Sequence, residues 1–273
     1  MKRNFTITVQ LICFALMYSL FFAGCINVEE KSPSQNQSEN VTIFSTSGAQ
    51  QAVEVLSNQF ESEKKISVLR NYASTGVLAR QIQRGAESDL FVSANAQWVD
   101  YLIKKGIVSE DRSVAFTSNS LVLITAVSEN PQVPKFRSDY PENKLLELNL
   151  TIGDPGYVPV GNYSKMVLDN LGWWNTMKGN LLLAKDVTTV LHYVQRKEVT
   201  FGIVYHSEAV NAPNVKIVAE IPQEFHETIC FFVVLLNKNN TNAVELFNSF
   251  NSRKSREILT ERGFLPLEEH CFL

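Results

Sequence analysis

The chain has few of the residues that metal sites and redox centres need. It contains four cysteines and four histidines in 273 residues, and neither type occurs at the spacing of a zinc site or a CxxC motif. The formal net charge is −3, and the sequence has no run of five or more lysines and arginines. These absences argue against a bare metal ion as ligand and against binding to nucleic acid.

The sequence also lacks the motifs of common enzyme classes. It has no G-x-S-x-G segment, no Walker loop and no pairing of cysteine and histidine typical of a catalytic nucleophile. We therefore expect a protein that is not an enzyme and carries no cofactor. Its hydrophobic fraction of 45% is typical of a soluble globular protein, and its length suits one large domain or two modest ones.

The N-terminus has the layout of a secretory signal. Lys2 and Arg3 precede an apolar run from Ile7 to Ala23, which ends in Ala-Gly-Cys at Cys25. This ending resembles a lipobox, in which the cysteine is acylated and becomes the new N-terminus. We expect residues 1–25 to be a lipoprotein signal and the exported protein to be periplasmic or anchored to the cell membrane through Cys25. An uncleaved membrane anchor is the alternative.

From residue 41 onwards the chain alternates short apolar runs with segments of helical periodicity. This alternation predicts an α/β protein with mainly parallel sheets. A second set of strands and helices interrupts the first, so we expect two domains with a ligand cleft between them, formed by residues 41–115 with 233–273 and by residues 116–232. Residues 26–40 are too polar to pack and are predicted to be a flexible tether. The segments 50–64 and 242–261 are predicted to be helical. The predicted strands include 41–44, 66–72, 89–93, 120–126, 150–153, 202–205 and 231–236.

The cysteines Cys230 and Cys271 permit two interpretations. In an exported protein they can form a disulfide. Cys230 also lies in an apolar run from Ile229 to Leu236, which favours a buried free thiol. Both interpretations remain open at the level of the sequence.

Four polar or small-residue segments lie between a strand and a helix. They are Ser45–Ala49, Ala73–Gly76, Asp154–Gly161 and Lys185–Thr189. The N-terminus of a helix has free backbone N–H groups and about half a positive charge, so it binds anions. Serine, threonine and aspartate are also ordinary helix caps, and capping alone is the alternative for each segment.

Several longer segments around these loops resemble the periplasmic molybdate-binding proteins of ABC transporters. They are VTIFSTSGAQQAVEVLSNQFE, NYASTGVLARQIQRGAESDLFVSANAQWVDYLIKKG, IGDPGYVPVGNYSKMVLDNLG, FGIVYHSEAV and NSRKSREILTERGF, and together they span residues 41–264. The resemblance implies a monomeric two-domain flytrap fold of the periplasmic-binding-protein type. It also implies a molybdate or tungstate oxyanion in the cleft, and a permease and an ATPase subunit of an ABC importer as partners.

In that family, hydroxyl groups and backbone amides hold the anion without lysine, arginine or metal. By position, the resemblance assigns the first loop of the site to Ser47 or Gly48, and the hydroxyl of the second loop to Thr75. It assigns two backbone amides and a last hydroxyl to Val160, Val187 and Tyr205.

This chain departs from the family at Gly48, where a serine is usual. Either Ser47 supplies the hydroxyl after a small shift, or only a backbone N–H remains there. We expect that a serine restored at position 48 would maintain or raise the affinity if the backbone permits it.

Two other functions remain open. One is an exported binding protein for sulfate-type or phosphate-type oxyanions. The other is an exported enzyme that acts on oxyanion esters on a similar two-domain scaffold.

Overall fold

The computed structural model describes residues 40–267 together with residues 270 and 271. The predicted signal, the lipidation site Cys25 and all but the last residue of the predicted tether lie outside the described residues. Within the described part, no helix is both long enough and apolar enough to cross a membrane.

The described chain contains ten strands. Their bounds are β1 Val41–Thr46, β2 Val68–Ala73, β3 Leu90–Ser93, β4 Ser113–Asn119, β5 Leu121–Ala126, β6 Leu150–Gly153, β7 Leu182–Ala184, β8 Phe201–Tyr205, β9 Val215–Glu220 and β10 Ile229–Leu235.

Ten α-helices alternate with these strands in the described residues. Their bounds are α1 Gln50–Lys64, α2 Thr75–Gln83, α3 Ala96–Lys104, α4 Glu142–Leu146, α5 Pro159–Asn170, α6 Trp174–Met177, α7 Val187–Gln195, α8 His206–Asn211, α9 Thr241–Phe250 and α10 Arg253–Glu261.

The strands form two five-stranded sheets, in the orders β2-β1-β3-β10-β4 and β7-β6-β8-β5-β9. In each sheet, one strand near the edge pairs in parallel with both of its neighbours: β1 in the first sheet and β6 in the second. The other pairings, through β10 and β5, are antiparallel. The predicted two-domain α/β fold is confirmed, with the parallel strands on one side of each mixed sheet.

Each sheet with its helices forms a lobe with a buried interior. The central strands β5 and β10 are buried along their whole length, which is typical of strands covered on both faces. Helix α1 packs through Val53, Leu56 and Phe60, whose spacing places them on one face. We call the lobe of the first sheet lobe 1 and the lobe of the second sheet lobe 2.

The position of β4 and β10 in the first sheet affects where the domain boundaries lie. Strands β4 and β10 belong to the first sheet over their whole length, so the chain crosses from lobe 1 to lobe 2 after Asn119 and returns before Ile229. The boundaries predicted at residues 115/116 and 232/233 fall inside these two strands. We therefore propose boundaries that lie a few residues away, in the connections on the lobe 2 side of each strand.

The two cysteines left open by the sequence are paired. Cys230 in β10 and Cys271 near the C-terminus form a disulfide with a Cα–Cα distance of 5.5 Å. The interpretation of Cys230 as a free buried thiol is therefore wrong. The bond joins the end of the chain to lobe 1.

Candidate oxyanion-binding site

A small pocket lies where loops from the two lobes meet. It is lined by Thr46, Ser47, Gly48, Ser74, Val158, Pro159, Val160, Asp186, Val187 and Tyr205. Two larger and more open cavities, of about 610 and 640 Å³, lie elsewhere. We place the site in the small pocket because four strand-to-helix connections converge only on it among these three cavities.

Lobe 1 contributes the ends of β1 and β2. The segment Ser47–Ala49 forms a single 3-10 turn between β1 and α1, and its three residues are buried. Ser74 directly precedes α2 without a capping hydrogen bond from its side chain, and Thr75 is the first residue of that helix.

The hydroxyls of Ser74 and Thr75 are buried, and neither has a hydrogen-bond partner within the described structure. Leaving a buried hydroxyl unpaired costs about 1–3 kcal/mol. Two such groups at adjacent positions indicate a place where a ligand supplies the missing acceptor.

Lobe 2 contributes the first turns of two helices. Val160 is the second residue of α5, and Val187 is the first residue of α7. Backbone N–H groups at these positions have no partner within their own helix. Because the valine side chains cannot form hydrogen bonds, only these amides can interact with an anion at the two positions.

The carboxylate of Asp186 also borders the pocket, although a negative charge there opposes an anion. Its Oδ1 accepts hydrogen bonds from the backbone N–H of Thr189 at 2.8 Å and from the Thr189 hydroxyl at 2.7 Å. The carboxylate therefore caps α7, and its charge is partly neutralised by the N-terminus of that helix.

Tyr205 lies at the end of β8, with only 1% of its surface exposed. Its ring contacts Phe231 of lobe 1 edge-to-face, with the centroids 5.3 Å apart. Burial raises the pKa of Tyr205 well above its usual value, so the phenol keeps its proton. The hydroxyl has no partner within the described residues and is available as a hydrogen-bond donor.

Two residues with buried unpaired hydroxyls, Ser74 and Tyr205, thus line the pocket together with two helix starts, and the unpaired hydroxyl of Thr75 belongs to the residue that follows Ser74. No lysine, arginine or histidine is among the residues that line the pocket. The described residues also contain no cluster of three or more His, Cys, Asp or Glu side chains that could hold a metal ion. Fixed neutral donors from two lobes suit an anion, because hydrogen bonds to charged groups are roughly twice as strong as neutral ones.

Comparison with known proteins identifies the family to which the chain belongs. The family model described as bacterial extracellular solute-binding protein matches residues 41–265. The chain belongs to this family. The solute-binding protein is 35% identical over 229 residues to the molybdate-binding protein ModA of Escherichia coli (strain K12), an alignment that covers 82% of this chain and 88% of the relative.

Two further similarities support the assignment. Over 253 residues the solute-binding protein is 30% identical to a Bacillus subtilis (strain 168) protein named "Putative ABC transporter substrate-binding lipoprotein YvgL", with 92% of this chain and 95% of the relative covered. Its fold matches that of the periplasmic molybdate-binding protein of Azotobacter vinelandii with a TM-score of 0.72 at 20% identity, covering 84% of this chain and all of the other.

Of the six ligand-binding residues predicted from the sequence, five line the pocket of this solute-binding protein: Ser47, Gly48, Val160, Val187 and Tyr205. The sixth, Thr75, is fully buried beside the pocket-lining residue Ser74. The prediction did not include Thr46, Val158, Pro159 or Asp186. Aspartate is a common helix cap. The sequence could therefore have predicted that Asp186 lies next to Val187 at the start of α7.

The expectation for Gly48 requires a correction. A Cβ atom at this position would lie 2.7 Å from Cε2 and 3.0 Å from Cδ2 of Tyr205. The tyrosine ring is fully buried and cannot move away freely, so the structure does not leave room for a serine at position 48. The missing side chain is what allows the ring of lobe 2 to lie against the loop of lobe 1.

Proposed function

We propose that this solute-binding protein captures molybdate, and also tungstate, outside the cytoplasm and delivers the oxyanion to the permease and ATPase subunits of an ABC importer. The observation that carries the proposal is the pair of unpaired buried hydroxyls on Ser74 and Tyr205, which line one small pocket from opposite lobes, with the unpaired hydroxyl of Thr75 next to Ser74 in the chain. The name of the Escherichia coli relative supports the choice of molybdate among oxyanions.

Within this proposal each lobe supplies donors to the anion. Ser47 or Gly48 and the hydroxyl of Thr75 bind it from lobe 1, and the backbone amides of Val160 and Val187 with the hydroxyl of Tyr205 bind it from lobe 2. A site without a full ion pair also suits release, because the ligand must pass to a transporter.

The ligand is tested by titration calorimetry with molybdate, tungstate, sulfate and phosphate. We expect molybdate and tungstate to bind most tightly. Sulfate should bind more weakly, because its shorter bonds prevent it from reaching all the donors at once. Equal affinities for sulfate and molybdate would contradict the proposed selectivity, and binding of phosphate alone would assign the protein to another solute.

We also propose that the protein acts as a monomeric binding protein and not as an enzyme. Turnover of p-nitrophenyl phosphate or p-nitrophenyl sulfate that disappears in the Tyr205→Phe variant would instead favour the esterase alternative.

The membrane attachment is a separate proposal. The Ala-Gly-Cys sequence at Cys25 and the naming of the Bacillus subtilis relative as a lipoprotein support acylation of that cysteine. The intact mass of membrane-extracted protein should correspond to a chain that begins at Cys25 with acyl groups attached. A chain that begins at Met1 would indicate an uncleaved anchor.

A further inference from the structure

Glu208 is a buried carboxyl group that the proposed binding site does not use. It is the third residue of α8, three positions after Tyr205, and only 8% of its surface is exposed. Its Oε1 atom is buried and has no hydrogen-bond partner within the described residues. Burial raises the pKa of Glu208 to about 8, so the side chain is mainly protonated and neutral at pH 7.

Glu208 lines a cavity beside the oxyanion pocket. The cavity has a volume of about 190 Å³, and its wall includes Gln50 and Gln51 at the start of α1 and Thr188 in the first turn of α7. These positions follow Gly48 and Val187 by only one to three residues. The cavity and the oxyanion pocket therefore share the two helix starts that face each other across the lobes.

The charge of Glu208 acts on the hydroxyl of Tyr205. Burial is the main cause of the raised pKa of Tyr205, and the negative charges of Tyr163 and Glu208 raise it further. A charge that opposes ionisation of this phenol also opposes a dianion bound to its hydroxyl, because both place negative charge at the same point.

The other titratable groups around α8 do not offset this charge. Helix α8 packs against β5, β8 and β9, and β5 has no titratable side chain. The groups on the remaining elements and in the cavity are Tyr205 on β8, Lys216 and Glu220 on β9, His192 on α7 and His206 on α8 itself. The segment that bonds to α8 after α10 adds Arg262, whose backbone carbonyl accepts from Asn211. Burial is the one resolved cause of the pKa shift of Glu208, so none of these side chains acts as its counter-ion.

We infer that Glu208 must be protonated for the oxyanion to bind, so that this residue couples capture to the proton concentration and limits capture in alkaline medium. The inference rests on the proposed function and adds to it a residue that acts on the ligand through charge without touching it. Glu208 is thus a residue that determines at which pH the site accepts a dianion.

The sign of the effect follows from linkage. A bound dianion raises the pKa of Glu208 further, so the complex holds a proton that the free protein releases above about pH 8. Affinity is therefore highest below that pH and falls as the pH rises through it. At pH 9.5 the dissociation constant should be about ten- to thirtyfold higher than at pH 7, since each pKa unit corresponds to a factor of ten.

The test is titration of molybdate at pH 7.0 and pH 9.5 into the parent protein, Glu208→Gln and two controls. Glu208→Gln should bind molybdate at both pH values with nearly the same dissociation constant. The controls are His192→Gln, which changes the other titratable side chain of the cavity, and Glu220→Gln, which removes an exposed carboxylate of the same lobe. Both control variants should bind molybdate more weakly at pH 9.5 than at pH 7.0, by the same factor as the parent.

A second measurement needs no variant. At pH 8.5 the parent should take up about 0.6 to 0.8 of a proton for each molybdate bound, which appears as a dependence of the binding heat on the ionisation enthalpy of the buffer. If the parent binds molybdate equally well at both pH values with no proton uptake, or if Glu208→Gln loses affinity as the parent does, the inference is wrong. Absence of molybdate binding to the parent at pH 7.0 would instead contradict the proposed function.

Discussion

The two lobes contribute different kinds of donor to the same pocket. Lobe 1 offers side-chain hydroxyls, on Ser47, Ser74 and Thr75, at the ends of two parallel strands. Lobe 2 offers backbone amides at Val160 and Val187 and a single hydroxyl, on Tyr205. In lobe 1 one substitution can remove a donor, whereas the amides of lobe 2 persist as long as the helices begin where they do.

This difference bears on how the two lobes should respond to substitution. The resemblance to the family implies a serine at the position of Gly48 in lobe 1, and this chain has no hydroxyl there. In lobe 2 the amide positions carry valines, whose side chains have no part in binding an anion. Substitutions in the two lobes should therefore have effects of very different size.

The largest effect should come from Tyr205→Phe, which removes the one side-chain donor of lobe 2 and keeps the ring. Losing a hydrogen bond to a charged group costs about 1.5–3 kcal/mol, so the dissociation constant for molybdate should rise about ten- to a hundredfold. Titration calorimetry measures the change. The control is Tyr163→Phe, a change at another buried tyrosine of lobe 2, which should bind molybdate like the parent.

Thr75→Val should have the next largest effect. Valine keeps the branched shape of threonine and removes its unpaired hydroxyl, so the dissociation constant should rise at least about tenfold. The matched control is Thr117→Val, because the Thr117 hydroxyl is also buried in lobe 1 but donates to the Leu265 carbonyl at 2.9 Å. Thr117→Val should lower the melting temperature without changing the affinity for molybdate. If Thr117→Val weakened binding and Thr75→Val did not, Thr75 would not be part of the site.

Gly48→Ser should weaken binding, by about tenfold, although it restores the residue usual in the family. The added Cβ would lie 2.7 Å from the ring of Tyr205, and overpacking of a buried contact typically costs about 1–3 kcal/mol. A new hydroxyl offsets part of this cost. Gly48→Ala adds the same Cβ without the hydroxyl and should bind more weakly than Gly48→Ser. Parent-like binding by both variants would show that the lobes do not approach this closely in the complex.

The smallest effect should come from Val187→Ala. It shortens a side chain at a helix start and leaves the backbone N–H in place, so the dissociation constant should change by less than about threefold, corresponding to about 0.6 kcal/mol. The melting temperature of the unliganded protein should fall, because buried apolar surface is lost. A loss of affinity as large as that of Tyr205→Phe would mean that lobe 2 binds the anion through side-chain packing and not through its amides.

The parts of the site that the sequence predicted are local. A strand followed by small polar residues and a helix predicts that these residues lie at a helix start, and Ser47, Thr75, Val160 and Val187 each lie at the start of a helical segment. Their part in binding the anion stays a prediction. The predicted helix at residues 50–64 and the strand at residues 150–153 match the structure in their bounds. Local patterns suffice for such elements because each one depends on neighbouring residues.

What the sequence did not predict depends on distant contacts. Strands β4, β7 and β9 were missed: β7 has only three residues, and β4 ends in the buried polar residues Thr117, Ser118 and Asn119. The helical segment predicted at residues 242–261 is two helices, separated where Ser252 caps α10. The contact between Gly48 and Tyr205 joins residues that are far apart in the sequence, so no local pattern could reveal it.

The most direct test of the account is a crystal structure of the molybdate complex with anomalous diffraction measured at the molybdenum edge. We predict a single strong peak in the small pocket, with anion oxygens within hydrogen-bond distance of the Thr75 and Tyr205 hydroxyls and of the Val160 and Val187 amides. No lysine or arginine should touch the anion. A peak outside this pocket, or an anion held by a cationic side chain, would contradict the central claim that neutral donors from two lobes form the site.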